Sequence, residues 1–572
     1  MNFRLSGSTP NISSESRFNP ITRARSFVQS LSAGDKTILL FLSLICFITS
    51  FVSLIAFERS FMVAVPAHGG SLTEGVVGSP RFINPLLAIT DADRDLSTVT
   101  YAGLMGVGPE GLRPVLAESY TISEDGKTYT FILRNGVKFS DGTPVTADDI
   151  VFTVEKAMDP KLKSPELANW SNIRVEAVDA RTVRFTLPKA YAPFLANTTL
   201  GILPAHVWSK IPVEQFPFST YMTEPVGAGP FQVSAVTKNA EGAITRYDVK
   251  ANETYALGAP YLSSMRFVFF ETSSDLLAAE QSGRVESAYG IPVAGGLRAP
   301  YSRVFGVFLN PAENKALADL SVRKALSLAI DRDHLTTTIL GGFAEPRTDP
   351  LPTGVSEAQE PMQSSDRIQQ AKDVLTKAGW TYSESNGTWS NAKTKLTLNP
   401  ITLKTSNVPE LKTLAGEIEK NWEAIGVKTS LEFYDQAALS TDVIRPRKYD
   451  ALFFGLVVGR ENDLFAFWDS SERNDPGLNI ALYANKTVDT LLEKARTQSD
   501  EAERTDTLTK ASNIISAEYG AIFTHTPYFL YVVPKDLKGV ILPEITTPSD
   551  RFATVSSWHR RTQYVWPVFI KK

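Results

Sequence analysis

The sequence holds a single cysteine in 572 residues. That cysteine, Cys46, lies inside an apolar run, so no disulfide can form within the chain and the folded part must rely on core size for stability. Histidines are few and scattered, at 68, 206, 334, 525 and 559, which gives no metal-ligand spacing. The H-E-x-x-H, G-x-S-x-G and P-loop patterns are missing, and with them the usual sequence signs of a metalloprotease, an α/β-hydrolase or a nucleotide-hydrolysing enzyme. There is no basic excess: 58 Lys and Arg stand against 62 Asp and Glu, a net charge of −4, which leaves no cationic face for nucleic acid. No repeat of about 20–50 residues is present, so solenoids and propellers are disfavoured. The expectation is of a protein that is not an enzyme and carries no cofactor or metal.

What is present suits a folded, multidomain chain. At 43% hydrophobic and 21% charged residues the composition is ordinary, and the length asks for two or three domains. One run stands apart. TILLFLSLICFITSFVSLIAF, residues 37–57, is free of charge and long enough to cross a hydrocarbon core of about 30 Å as a helix. Before it, Arg4, Arg17, Arg23, Arg25 and Lys36 face only Glu15 and Asp35, so the positive-inside rule keeps residues 1–36 in the cytoplasm and sends the rest outside. An uncleaved anchor in the cytoplasmic membrane is expected, because the run exceeds a usual signal-peptide core and Glu58, Arg59, Phe61 and Met62 make a poor cleavage site. Cleavage near Val63-Ala64-Val65 or Pro66-Ala67 is the alternative. Leu44-Ile45 ahead of Cys46 does not fit a lipoprotein signal.

Residues 1–36 read as an unstructured tail rich in Ser, Asn and Arg, and PAHGGSLTEG as a linker into the folded region. YTISEDGKTYTFILRNGVKF alternates in character about Asp125-Gly126 and Asn135-Gly136, which predicts a strand meander. IRVEAVDARTVRFTL, 173–187, predicts a second strand pair. Helical spacing recurs after residue 320 and at 366–379, 409–425, 487–497 and 501–518, with apolar strands at 449–458 and 528–534 between them. Strands interleaved with helices in this way indicate an α/β fold.

The candidate chemistry dissolves on inspection. In KFSDGTPVTADDIVFTVEKAM, Asp141-Gly142 is a turn, and Thr146 with Asp148 and Asp149 forms a helix cap with acids in the first turn. Phe152 is left unexplained, because Ile150, Val151, Val154, Ala157 and Met158 make the buried stripe and Phe152 falls nearly opposite. It is shielded by another domain, lines a cleft, or is a lone exposed apolar residue. Ser321-Val322-Arg323-Lys324 matches S-x-x-K without its partner motifs, and Ser321 reads as a helix N-cap. Asp331-Arg332-Asp333-His334 closes one helix and opens another.

Five stretches in order then resemble the extracytoplasmic solute-binding proteins of ABC importers, in the oligopeptide/dipeptide/nickel-binding family (bacterial solute-binding protein family 5). They are RFINPLL at 81–87, LAESYTISEDGKTYTFILRNGVKFSDGTPVTADDIVFTVEKAMDP at 116–160, EPVGAGPFQV at 224–233, the helix-rich block 317–346 and the stretch 478–540. The resemblance implies a two-lobed periplasmic-binding-protein fold of type II with an extra subdomain, preceded by one N-terminal transmembrane helix. By analogy, lobe I occupies 68–108, 172–298 and 527–572, the extra subdomain 109–171, and lobe II 299–526. It further implies capture of a solute between closing lobes, with a peptide as the leading ligand, and delivery to an ABC permease and its ATPase subunits. A non-peptide solute such as a metal chelate, sugar or opine is the alternative ligand, and a chaperone or sensor role the alternative use. A monomer is expected.

Ligand-contact positions implied residue by residue are Pro80, Arg81 and Phe82 beside the early motif, Phe152, Tyr434, and Leu456, Val457, Gly459, Arg460, Glu461 and Asp463 in FFGLVVGREND. In peptide-binding members of the family this last loop meets the peptide N-terminus, and many carry an Asp that pairs with the ligand ammonium. Gly459 occupies that position here, with Glu461 and Asp463 as the nearest acids.

Overall fold

An eleven-residue strand, Ile522–Val532, organises the folded region. The computed structural model describes residues 20–293, 295–353, 364–398 and 400–569. These form two compact units, one of residues 1–66 with 562–572 and one of 67–561.

In the larger unit, the long strand belongs to both halves of a twelve-stranded sheet. Its first half pairs antiparallel with Arg303–Leu309, and its second half with Leu297–Pro300 and Ser287–Tyr289. On one side the sheet continues through Ala451–Val457, Ile401–Ser406 and Thr429–Tyr434; on the other through Ser71–Val77, Ser264–Phe270, Ile244–Ala251 and Phe231–Lys238. The chain therefore crosses between the halves at 300–303 and 526–528, two adjacent strands that can act as a hinge. Separate apolar cores fill the two halves, around Phe267, Tyr531 and Trp558 in one and Phe453, Trp380 and Trp422 in the other.

A smaller antiparallel sheet runs in the order Ala117–Ile122, Thr128–Leu133, Thr182–Thr186, Arg174–Asp179. Helix Ala147–Met158 packs on it over a core of Phe131, Ile150, Val154, Trp170 and Phe185. The Asp125-Gly126 hairpin turn falls where expected, with Gly126 at φ +67° and Asp125 accepting from the Ser123 hydroxyl, whereas the turn at Asn135-Gly136 leads out of the sheet, whose next strand is Thr182–Thr186. The strand pair 173–187 joins this sheet, with Thr182–Thr186 pairing both with Arg174–Asp179 and with Thr128–Leu133.

The cap at Thr146 forms as read. Asp149 accepts from the Thr146 N–H at 2.8 Å, and its other oxygen accepts from the Ala205 N–H at 2.9 Å. Asp141 meets Nε2 of His206 at 2.7 Å. The EPVGAGPF loop is architectural as well: a Cβ at Gly227 would lie 2.1 Å from the Thr100 carbonyl oxygen and one at Gly229 2.4 Å from the Thr100 carbonyl carbon, so only glycine lets these backbones meet. The helix Leu320–Ala329 is capped by Asp319, which accepts from the Ser321 N–H at 2.9 Å; Ser321 stands two residues inside the cap position assigned to it. Most of the expected helices appear within one to three residues of their reading, as Ser364–Lys377, Pro409–Ala424, Lys486–Thr497 and Glu501–Ala517.

In the smaller unit the apolar run lies within a helix, Ala33–Ser60, whose stretch 33–55 is long and apolar enough to span a membrane, with none of it buried. The tail and linker readings need correction. Pro20–Ser30 is helical, started by a proline whose missing N–H costs nothing at a first turn; residues 1–19 lie outside the described residues. The expected linker, 66–75, holds the end of strand Val63–Ala67, which pairs with Arg561–Val565, and the start of strand Ser71–Val77.

Candidate functional site

A cavity of about 1040 Å³ opens beside the hinge. One wall is the helix Glu501–Ala517, which presents Thr505, Thr509, Ser512, Asn513 and Ser516 to it. These positions follow helical spacing on one face, joined there by Leu508, while Ala511 and Ile515 are buried in the core. The opposite wall comes from the subdomain side, with Tyr120, Ile122, Tyr129 and the hairpin around Gly108–Leu112. Asp349, Thr353, Arg460, Glu461, Asn462 and Glu544 complete it.

The loop 459–463 is held by arginines. Arg460 donates to the Glu544 carbonyl at 3.0 Å and to Asp550 at 3.1 Å. Glu461 accepts from Arg504 at 3.2 Å, and Asp463 from Arg496 at 2.9 Å. Arg496 also lies 3.9 Å from the Phe465 ring and 5.4 Å from that of Tyr191, and its carbonyl accepts from the Ala192 N–H at 2.8 Å. These contacts tie the loop to the other half of the sheet through Asp550 and to the subdomain side through Tyr191 and Ala192.

Burial dominates the electrostatics. It raises the Glu461 carboxyl above its usual range despite Arg504, and raises Glu544 although the Ser302 hydroxyl donates to it at 2.6 Å. Tyr129 and Tyr191 are each pushed up to about 12 by burial. Two cavity-lining polar atoms, Asn462 Oδ1 and Ser516 Oγ, are buried with no hydrogen-bond partner among the described residues. Buried polar groups ordinarily find partners, so these two suit a ligand that supplies them.

Of the positions expected from the sequence, only Arg460 and Glu461 line this cavity. Gly459 adopts φ +84°, a left-handed backbone that favours glycine and disfavours the acid expected there. Asp463 is engaged by Arg496. Leu456 is buried in the core beside Phe308 and Trp468, and Val457 is exposed at the strand end. Tyr434 donates to Glu432 at 2.7 Å, with Lys404 5.7 Å from its ring. Arg81 and Phe82 donate their N–H groups to Asp93 Oδ1 at 2.6 and 2.8 Å, which ties the Pro80–Phe82 turn to the start of helix Asp91–Thr100. Phe152 packs against the subdomain core with Lys156 5.5 Å from its ring, and is not in the cavity wall. The hydroxyl-bearing face of Glu501–Ala517 escaped sequence reading. Its polar spacing was the available signal.

Residues 111–475, well over half of the chain, match the family model described as bacterial extracellular solute-binding proteins, family 5. The chain belongs to this family. The oligopeptide-binding protein AppA of Bacillus subtilis is 24% identical over 531 residues, covering 88% of this chain and 96% of AppA. The glutathione-binding protein GsiB of Escherichia coli is 27% identical over 440 residues, 73% of this chain and 81% of GsiB. Among solved structures, NikZ of Campylobacter jejuni with Ni(L-His) superposes at TM-score 0.66 and 25% identity, over 86% of this chain and 99% of NikZ. As a family 5 protein, the chain has the two-lobed mixed α/β fold, and the shared sheet with its paired crossings is where the lobes join. Members of this family are extracytoplasmic; the chain is a solute-binding protein working with an ABC transporter, and these relatives are named for the solutes they bind.

Proposed function

We propose that the protein captures short peptides in the cavity beside the hinge and hands them to its permease. The observation that carries this reading is the wall itself: a hydroxyl-rich helix face, two desolvated carboxylates and two buried polar atoms awaiting partners. A peptide backbone offers N–H and C=O groups along its length, and hydroxyls and amides can meet them whatever the side chains. The volume stands at the upper end of the ~300–1,000 Å³ usual for small-molecule sites. AppA, by name an oligopeptide binder, supports the ligand class. Arg460 and Glu461 are the expected positions we retain as contacts, joined by Arg504, Asn462, Ser516 and Glu544.

In this reading the lobes comprise 68–108, 187–300 and 527–561 on one side and 301–526 on the other, with the subdomain at 109–186. Ligand stabilises the closed arrangement. Helix 33–60 stays uncleaved as a membrane anchor with the N-terminus inside, and the protein acts as a monomer. A second reading, a non-peptide solute such as a metal chelate, is favoured by the arginine partners of Glu461 and Asp463, which compete with a ligand ammonium for both acids.

The test is the melting temperature of the full chain with short free-amine peptides, N-acetylated peptides, a nickel–histidine chelate and sugars. A ligand at a hundredfold its Kd adds about 2.7 kcal/mol, a readily measured shift. Peptides should raise the melting temperature. A rise with the chelate or a sugar and none with peptides would transfer the site to the second reading.

A further inference from the structure

We propose that residues 565–569 form a second contact with the membrane, seated in the lipid headgroup layer beside the end of helix Ala33–Ser60. The proposal rests on the anchor reading of that helix. Only Phe61 and Met62 separate the helix from strand Val63–Ala67, and that strand's sheet partner is Arg561–Val565. Arg561 packs against Gly69, where a Cβ would lie 2.9 Å from its guanidinium, so the strand starts beside the far end of Val63–Ala67 and runs back toward the helix. Trp566 and the 3₁₀ turn Pro567–Phe569 continue from there. Residues 1–66 and 562–572 accordingly fall in one compact unit.

The side chains presented there are apolar and in water. Val568 is 82% and Phe569 74% exposed, with Trp566, Phe61 and Val63 also exposed nearby in sequence or across the strand pair. Single exposed apolar residues are normal, but a group of them on two paired segments calls for a cover. Lipid is the occupant that continuity supplies. From Phe57, where the apolar run ends, three helical and two extended residues climb at most about 11 Å, against a headgroup layer of roughly 5–8 Å per side. Strand Arg561–Val565 lies alongside the extended part of that climb, and the turn 566–569, closed by the Phe569 N–H on the Trp566 carbonyl at 2.9 Å, follows it. Tryptophan and other aromatics favour the interface, and the lysines at 571 and 572 suit anionic headgroups.

The single cysteine makes a direct test possible. In a Cys46→Ala background, single cysteines are introduced as Phe569→Cys, Phe47→Cys and Phe218→Cys and labelled with an environment-sensitive fluorophore. The full chain is reconstituted in phosphatidylcholine–phosphatidylglycerol vesicles carrying nitroxides either near the headgroup or deep in the acyl chains. The label at 569 should be quenched several-fold more by the shallow nitroxide, the label at 47 by the deep one, and the label at 218, on an exposed side chain of the folded region, by neither. A label at 569 that behaves like 218 while 47 is quenched overturns the proposal and leaves the anchor standing. If 47 is not quenched, the anchor reading fails and the proposal falls with it.

Discussion

In the proposed site, Gly459 and Glu461 decide how a charged ligand end can be held. At φ +84°, position 459 accepts glycine readily and an Asp poorly, so no acid projects from it. Glu461 is the nearest acid in the cavity wall, kept above its usual protonation range by burial. A ligand ammonium approaching Glu461 and Glu544 must meet them ionised. Affinity for free-amine peptides should therefore be full above their folded-state pKa values and decline as pH falls through a window that opens above 4.5, with N-acetylated peptides indifferent. Because burial raises these pKa values over those of the unfolded chain, the same carboxylates favour folding most at low pH and less as pH rises through that window. Calorimetric titration across the range checks the first point, and equal pH profiles for free and acetylated peptides would count against it. Glu461→Gln should cost free-amine peptides about tenfold in affinity, roughly 1.4 kcal/mol.

Phe152 shows the limit of reading a residue from its own helix. The wheel placed it opposite the buried stripe, yet the subdomain core reaches round to cover it, which no local periodicity can reveal. Phe152→Ala should lower stability by about 2 kcal/mol, less than the ~3–5 of a fully buried phenylalanine, and leave ligand affinity within about twofold. Chemical denaturation and titration of the variant separate the two effects; a larger loss in affinity than in stability would return Phe152 to the site.

At the scale of elements, caps, turns and long helices were legible because their causes are local. Thr146 with Asp149, the Asp125-Gly126 turn and the periodic helices depend on neighbours within about four residues. The strand pairings were not legible, because register between 117–133 and 174–186, or along Ile522–Val532, is set by partners dozens to hundreds of residues away. The helix Glu501–Ala517 lay between these cases. Its spacing marks it as a helix, but what its polar face meets depends on residues hundreds of positions away, such as Tyr120 and Tyr129. Ser516→Leu should fill the cavity and reduce peptide affinity more than tenfold while the melting temperature without ligand changes little; retained affinity would remove this helix from the site. At the glycine loop, Gly227→Ala should destabilise by at least about 1–3 kcal/mol, since the Thr100 backbone has no room to move.

At the scale of the whole molecule, one half of the large sheet is tied to its covering segments by a buried cation. Arg551 is fully buried between Glu74 at 2.9 Å and Asp95 at 2.6 Å, with the Tyr531 hydroxyl donating to Glu74 at 2.9 Å and the Ser287 hydroxyl also donating to it. It joins segment 548–557 to the strand Ser71–Val77 and the helix Asp91–Thr100. Arg551→Met should cost about 3–5 kcal/mol, because two buried carboxylates lose their counterion; a near-neutral result in urea denaturation would show that the cluster protonates instead.

Above that frame, the proposed function asks the hinge strands and the arginine-held loop to let the molecule close on what it binds. Mass spectrometry under native conditions, on the full chain gently extracted in detergent and then offered a mixture of short peptides, tests peptide capture most directly. The expected spectrum shows chains carrying additional masses that resolve on dissociation into short peptides of mixed sequence. A chain that keeps its bare mass throughout, or that carries one non-peptide solute the peptides cannot displace, would contradict it.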